Sequence, residues 1–395
     1  MEIYAKTIEP QVLDQIREVE EKNIFDNDKI KIMPDTHAGK GCVIGFTAPI
    51  KDVVVPNLVG VDIGCGILTV YLGDIDINLK ELDEFIYHNI PHGRDVNKES
   101  NVSALNLTSK LRAKIDVERA NKSLGTLGGG NHFIEINRLD SSNGEESIAF
   151  PHGLYLQIHT GSRHLGHQIC DYYQDLAIKQ QMIEIETKKT NLIKTLKELN
   201  QVSKIQEELS KLDCSINKSL ASLNGELKED YLHDMKICQE FAWLNREFIA
   251  VKILDFLNIK ILTCDKFHTV HNYIDFDDNI LRKGAIACKK NHRVTIGLNM
   301  RDGSLLGVGK GNDDWNQSGP HGAGRIMSRT QAKKEISMKD YKKSMEGIYT
   351  TSINKSTIDE SPFAYKDYQE IMDLVGETVT IVGRIKPVYN FKAGE

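Results

Sequence analysis

The chain has 395 residues, of which 40% are apolar and 27% charged. That supports one large domain or two modest ones with an ordinary core, and it excludes a disordered chain. A net charge of −6 excludes a generally basic nucleic-acid coat but leaves room for a local positive groove.

The first twenty residues, MEIYAKTIEPQVLDQIREVE, carry charges throughout and lack the basic-then-apolar layout of a signal peptide. The longest apolar stretch, Val53 to Leu72, is broken by Pro56, Asp62 and several glycines, so it reads as buried strand and loop rather than a membrane span. Seven cysteines, at 42, 65, 170, 214, 238, 264 and 288, form no CxxC pair. A disulfide framework is not expected, and the chain is placed in the cytoplasm with reduced thiols and no membrane partner.

Six glycine clusters follow one another: GKGCVIG (39–45), VGVDIGCG (59–66), LGTLGGGNH (124–132), HTGSRHLGH (159–167), NMRDGSLLGVGKGN (299–312) and SGPHGAGR (318–325). Glycine allows tight turns and close backbone approach to a ligand. Most of the clusters also hold His, Asp, Cys or Asn, so they read as loops converging on one polar site. Runs at Val53–Val55, Leu68–Leu72, His132–Ile136, Leu154–His159, Lys260–Thr263 and Val294–Leu298 are predicted strands. Between Ile178 and Leu223 apolar residues recur at steps mostly of three and four among Lys and Glu, which predicts a coiled-coil-like helix or helical hairpin. A second amphipathic helix is predicted from about Glu226 to Leu257. The fold class is α+β: one large domain over 1–395, with a strand-rich core, surrounding helices and a projecting helical insertion at 178–223.

Asp62 and Cys65 stand three apart in a glycine-rich turn and can address one ion. With His132, His159 and His271, each at a strand or loop edge, they make a divalent-metal set of five ligands, in which one group can bridge two ions. Zinc, iron and manganese all suit these donors, and softness alone points to zinc. His321 lies between glycines ahead of a helix predicted over Ile326–Ile336. An open, neutral imidazole can attack phosphorus as a nucleophile, with Arg325 and a helix start holding phosphate beside it. The alternative is a turn histidine without chemistry. Arg163 and Arg301 are further phosphate-ready positions, as is Lys310, and a tail containing Pro387, Tyr389 and Phe391 is expected to dock Lys392.

The motifs MPDTHAGKG, VDIGCG, GGGNHF, HTGSR, HNY, RKGA and HGAGRxMSR, in this order, resemble the RtcB family of RNA ligases over nearly the whole chain. The NMRDGSLLGVGKGNDDW segment and the terminal KPVYNFKAG resemble its bacterial branch. The resemblance implies GTP- and manganese-dependent joining of RNA 2′,3′-cyclic-phosphate or 3′-phosphate ends to 5′-hydroxyl ends, through a histidine–GMP adduct and an RNA(3′)pp(5′)G end. It implies that Cys65 bridges two manganese ions, that His159 and His271 complete one site, and that Asp62 and His132 complete the other. It implies His321 as the guanylylated residue. It places Asn131, Phe133, Glu135, Gly322, Arg325, Tyr365 and Lys392 around GMP, with the Glu135 carboxylate on the guanine N–H edge. NMRDGS replaces a Gly-Ser-Met turn, so Asn299 stands where a pocket serine is otherwise found, and His164 occupies a place that is often glycine. Asp35 and His37 are expected to position RNA or water, and Arg163 and Arg301 to contact RNA phosphate. A small accessory protein, archease, is an implied partner. Two other functions fit the residues alone: a metal-dependent cyclic phosphodiesterase that joins nothing, and an RNA-binding scaffold with a structural metal.

Overall fold

The structure is a computed structural model, which describes residues 1–140 and 149–394. A seven-stranded, wholly antiparallel sheet organises it. Across the sheet the strands run Arg293–Asn299, Gly303–Gly309, Val379–Lys392, Phe133–Leu139, Leu154–Thr160, Gly66–Gly73 and Lys266–Val270. The two outer strands approach each other: Thr295 N donates to Thr269 Oγ1 at 3.1 Å and Thr295 Oγ1 lies 3.0 Å from Thr69 Oγ1. The sheet therefore curls almost into a barrel.

Alternation of side chains along a strand assigns its two faces. Leu68, Val70, Ile134, Ile136, Leu156 and Ile158 pack outward against Ile249, Ala250, Ile253 and Leu254 of the long helix Gly225–Phe256. The intervening residues point inward and are polar. Gln157 Oε1 accepts from Asn137 Nδ2 (3.1 Å) and Ser304 Oγ (2.9 Å), Gln157 Nε2 donates to Thr69 Oγ1 (3.1 Å), and Asn390 Nδ2 donates to Glu135 Oε1 (2.6 Å). Buried polar atoms persist where they satisfy one another. This inner column ends at Phe133 and His159, which share its parity.

A second sheet, Glu2–Ile3, Lys31–His37, Ile44–Pro49, Ile280–Lys283 and Asn272–Asp275, continues directly from the first, since only His271 separates Lys266–Val270 from Asn272–Asp275. A two-stranded ribbon, Ala285–Ala287 with Ser318–Pro320, leads into His321.

The α+β expectation holds, with differences in detail. The helix expected from Ile178 begins at Arg163, straight after the strand ending at Thr160, and reaches Glu198. Its first turns bury Leu165, Ile169, Cys170, Tyr173 and Ala177, a helical apolar series inside what reads as a glycine cluster. A short helix, Ile205–Lys211, follows, but Leu220 and Leu223 are core residues of an irregular return, not part of a helix face. Val54 forms only a single bridge, with Leu223, so Val53–Val55 is not a strand. Ile261–Thr263 is a 3-10 turn and the strand starts at Lys266. The helix expected at Ile326 starts at Arg329, where the Ser328 side chain caps it by accepting from Gln331 N at 3.2 Å. His321 is thus not at a helix N-terminus.

Candidate active site

The turn Asp62–Cys65 closes with Cys65 N donating to Asp62 O at 3.1 Å. Gly64 has φ +75° and faces helix Gly225–Phe256 so closely that a Cβ would meet the Ala242 Cβ at 2.9 Å. Only glycine fits there. Similarly, a Cβ on Gly161 would fall 2.2 Å from Asp62 Oδ1. These contacts push the turn onto the mouth of the barrel.

There, two triads share one thiol: Cys65 with His159 and His271, and Cys65 with Asp62 and His132. Cys65 Sγ lies 3.3 Å from His159 Nε2 and 3.5 Å from His132 Nε2, His159 Nε2 lies 3.4 Å from His271 Nε2, and His132 Nε2 lies 2.9 Å from Asp62 Oδ2. His132 Nδ1 donates to Leu127 O and His159 Nδ1 to Asn131 O, each at 3.0 Å. Those carbonyls fix the tautomer that leaves Nε2 free as a ligand, as metal-binding histidines require. Asp62 Oδ1 is shielded from solvent and has no hydrogen-bond partner, a further donor aimed at the site. The residues fit a pair of divalent cations.

The electrostatics agree. Burial, reinforced by neighbouring histidines, holds the imidazoles of His159 and His271 well below their usual range, so they stay neutral. Burial and the Asp62 charge push the Cys65 thiol well above its usual value, so a cation must displace its proton. Burial works against ionisation of Asp62, but the His132 contact and the nearby Arg163 charge overcome it and hold the carboxyl at about 2. Beneath the site, the buried Arg246 donates from Nη1 to Gly64 O (2.8 Å) and Thr160 O (2.7 Å), tying the cysteine turn to the strand that carries His159. It lies in a helical stretch, WLNREF, with no motif to single it out.

His321 packs beside the first triad, its ring centroid 4.6 Å from that of His271. Its Nδ1 lies 2.6 Å from Asp35 Oδ2, and the same oxygen accepts His321 N and Gly322 N, both at 3.1 Å. Asp35, expected to position RNA or water, instead holds the histidine's backbone through these two amides and sets its charge beside Nδ1, with Nε2 the ring nitrogen away from the carboxylate. The buried Lys366 braces Asp35 in turn: its ammonium donates to the carbonyls of Pro34 (3.2 Å), Thr36 (3.4 Å) and Thr7 (3.1 Å). His37 Nδ1 donates to Asp35 O, and burial lowers its pKa to about 4.

A cleft of about 520 Å³ opens over His159, His271 and His321. All eight residues expected around the nucleotide, Asn131, Phe133, Glu135, Asn299, Gly322, Arg325, Tyr365 and Lys392, line it. Glu135 is buried, which raises its pKa to about 7 against the hydrogen bonds from Asn390 and Asn137 and the Lys392 charge. Lys392 ends the strand Val379–Lys392, docked as expected, with Nζ 5.8 Å from the Phe133 ring centroid.

Glu360 had no sequence signal. It is 2% exposed, with Oε2 2.8 Å from Lys392 Nζ and accepting from Tyr365 OH at 2.6 Å, and with Oε1 3.2 Å from Arg325 Nη1 and 3.5 Å from Arg329 Nη1. These cations overcome the cost of burial and hold its carboxyl at about 2. Its neighbour Asp359 takes Arg325 Nη2 on its carbonyl at 2.7 Å. One buried carboxylate thus gathers three nucleotide-site residues from segments up to 67 positions apart, which no local pattern announces.

Arg163 lies on the other triad, with Nη1 3.5 Å from His132 Nδ1. Arg301 is turned away from the cleft: Nε and Nη2 grip the Asp302 carboxylate at 3.0 and 2.9 Å, so the structure does not bring it to the site. Lys310 is bound to the carbonyl of Gly376. Among the described residues no helix is long and apolar enough to cross a membrane.

Two ligand triads joined by one thiol, with an imidazole at their edge and a cleft above, form an arrangement that could hold two cations, the donor pattern suited to metal-assisted phosphoryl transfer. The family model described as tRNA-splicing ligase RtcB matches residues 15–116 and 106–393, and the chain belongs to the RtcB family. It is 30% identical to the RNA-splicing ligase RtcB of Escherichia coli K12 over 91% of this chain and 88% of that protein. It is 27% identical to the tRNA-splicing ligase RtcB of Aeropyrum pernix, over 90% and 86%, and 26% identical to that of Methanococcus maripaludis, over 90% and 86%.

Proposed function

We propose that this protein is a GTP- and manganese-dependent RNA ligase that joins 2′,3′-cyclic-phosphate or 3′-phosphate ends to 5′-hydroxyl ends. The observation that carries this reading is the convergence on one cleft of His159, His271, His321 and every expected nucleotide residue, with the second triad joined to the first behind it through Cys65. Asp62 and His132 would hold one cation, His159 and His271 the other, and Cys65 both. When bound, the two cations supply charge neutralisation and fixed positions for phosphate oxygens.

His321 Nε2 attacks the α-phosphorus of GTP. The N–P bond forms, the bond to the β-phosphate oxygen breaks, and pyrophosphate leaves. The Asp35 carboxylate, 2.6 Å from Nδ1, offsets the charge that develops on the ring. Opening of a cyclic end by water gives a 3′-phosphate. That phosphate attacks the histidine-bound GMP, releasing His321 and giving RNA(3′)pp(5′)G. The 5′-hydroxyl then attacks the RNA 3′-phosphorus, forming the phosphodiester and releasing GMP. Arg163, Arg325 and Lys392 neutralise phosphate, Phe133 and Tyr365 flank the base, and ionised Glu135 accepts from the guanine N–H edge. Asn131, Asn299 and Gly322 complete the nucleotide wall.

The chain is read as one ligase domain over 1–395, with 178–223 an insertion within it. Its seven cysteines are unpaired, which suits the reducing cytoplasm. Archease is the proposed accessory partner. The test is incubation with manganese, GTP and a cut RNA bearing a cyclic phosphate and a 5′-hydroxyl. A joined product is expected. Opened but unjoined ends would assign a phosphodiesterase, and untouched ends a scaffold.

A further inference from the structure

The net charge of −6 is unevenly spread. Between Arg325 and Lys343 there are seven cationic residues and two acidic ones. Two short helices, Arg329–Glu335 and Met338–Ser344, carry most of them. Their inner residues Ala332 and Tyr341 are buried, while Lys334, Lys339, Lys342 and Lys343 are exposed. Among the described residues none of these four makes an ion pair. Lys339, Lys342 and Lys343 stand at i, i+3 and i+4, a spacing that places like charges side by side and disfavours the helix. The two local acids do not relieve this: Asp340 accepts from Ser337 Oγ at 2.6 Å and Glu335 from Gln331 Nε2 at 3.0 Å.

The ridge begins at the cleft, whose wall includes Met327, Ser328 and Arg329. At the same lip two large apolar side chains face solvent, Ile326 at 45% and Phe363 at 44% exposure. Ile326 N donates to Ala364 O at 2.9 Å, which holds the two segments together, and their neighbours Arg325 and Tyr365 line the cleft. An exposed aromatic ring beside a run of unpaired cations has the make-up of a single-strand platform: the ring stacks on a base and the cations follow the backbone.

We infer that single-stranded RNA enters the cleft over Ile326 and Phe363, with its phosphates running along Lys334, Lys339, Lys342 and Lys343. This rests on the ligase reading, and it adds where the substrate strand lies outside the reacting centre. None of these six residues belongs to the catalytic or nucleotide-binding set.

The experiment compares the full-length protein with F363A and with the quadruple variant K334A/K339A/K342A/K343A. A short single-stranded RNA with a 3′-phosphate is titrated at several salt concentrations, and self-labelling from α-labelled GTP is measured without RNA. Labelling should match wild type in both variants, which also shows that they fold. The quadruple variant should lose affinity at low salt, and its slope of log K against log salt should flatten by about 3, at about 0.7 per lost phosphate contact. F363A should bind about ten-fold more weakly with an unchanged slope, as expected for one lost stack. RNA affinity and slope equal to wild type in both variants would overturn the inference. Unchanged RNA binding with lost binding to polyglutamate would also overturn it, assigning the ridge to an acidic protein. Wild-type protein that binds RNA through these residues yet never labels itself would keep the ridge and sink the ligase reading.

Discussion

Asp35 Oδ2 sits 2.6 Å from His321 Nδ1 and accepts the backbone amides of His321 and Gly322. One carboxylate therefore holds the backbone of the proposed nucleophile and sets a negative charge beside its ring, across 286 residues of chain. Asp35→Asn keeps the shape but loses the charge that balances the developing imidazolium. GMP transfer to the protein should fall by about 100-fold or more, in the range of lost electrostatic stabilisation. Two bound metal equivalents by elemental analysis should be retained. Labelling at the wild-type rate would remove Asp35 from the mechanism.

Cys65 belongs to both triads, so Cys65→Ala should empty both sites rather than one. Elemental analysis after dialysis against manganese should drop from two equivalents to below one. Retention of two would contradict a shared thiolate.

Glu360 is the only anion in contact with Lys392 Nζ among the described residues. Glu360→Gln keeps the size but leaves Lys392, Arg325 and Arg329 without their common counter-charge. Breaking a buried ion pair on one side typically costs about 3–5 kcal/mol. A lower Tm is expected, together with a KM for GTP raised about ten-fold or more, since each ten-fold is about 1.4 kcal/mol. Manganese binding should be unaffected. A lower Tm with an unchanged KM would reduce Glu360 to a structural role.

Glu135 titrates at about 7 in the fold against 4.5 as its ordinary value, because burial penalises the carboxylate. The folded state thus binds this proton more tightly than the unfolded chain. Its contribution to stability is fully present below about pH 4.5 and is lost as pH rises through about 7, a difference of about 3 kcal/mol at 1.36 kcal/mol per unit. Without nucleotide, the stability of wild type relative to Glu135→Gln should fall between pH 5 and pH 8.5 in urea unfolding. A constant difference would show that Glu135 is ionised throughout. In the same variant, discrimination of GTP against ATP should relax, because the guanine edge loses its carboxylate acceptor.

The parts of the site legible in sequence were those in which the backbone and the chemistry coincide. Asp62, Cys65, His132, His159 and His321 each sit beside glycines that the close contacts demand, such as Gly64 against Ala242. The inner face of the barrel was half visible: Ile134 and Ile136 alternate with Glu135 and Asn137, but nothing local says that the strands curl until Thr69 meets Thr295. Glu360, Lys366 and Arg246 were invisible because each acts on residues far away in the chain and lies in an unremarkable segment. The helix start was missed for a related reason. Glycines at 161 and 166 suggest a loop, yet Gly166 lies within the helix, and glycine is needed there because a Cβ would strike Ser162 Oγ at 2.1 Å.

In the proposed mechanism the His321 imidazole takes GMP from GTP beside two cations held through one thiol. Incubation with α-labelled GTP and manganese, followed by denaturing electrophoresis and peptide mapping, tests it most directly. Acid-labile, alkali-stable label is expected on the peptide containing His321, absent in His321→Ala and in Cys65→Ala. Label that persists in His321→Ala, or wild-type protein that joins RNA without ever carrying label, would contradict it.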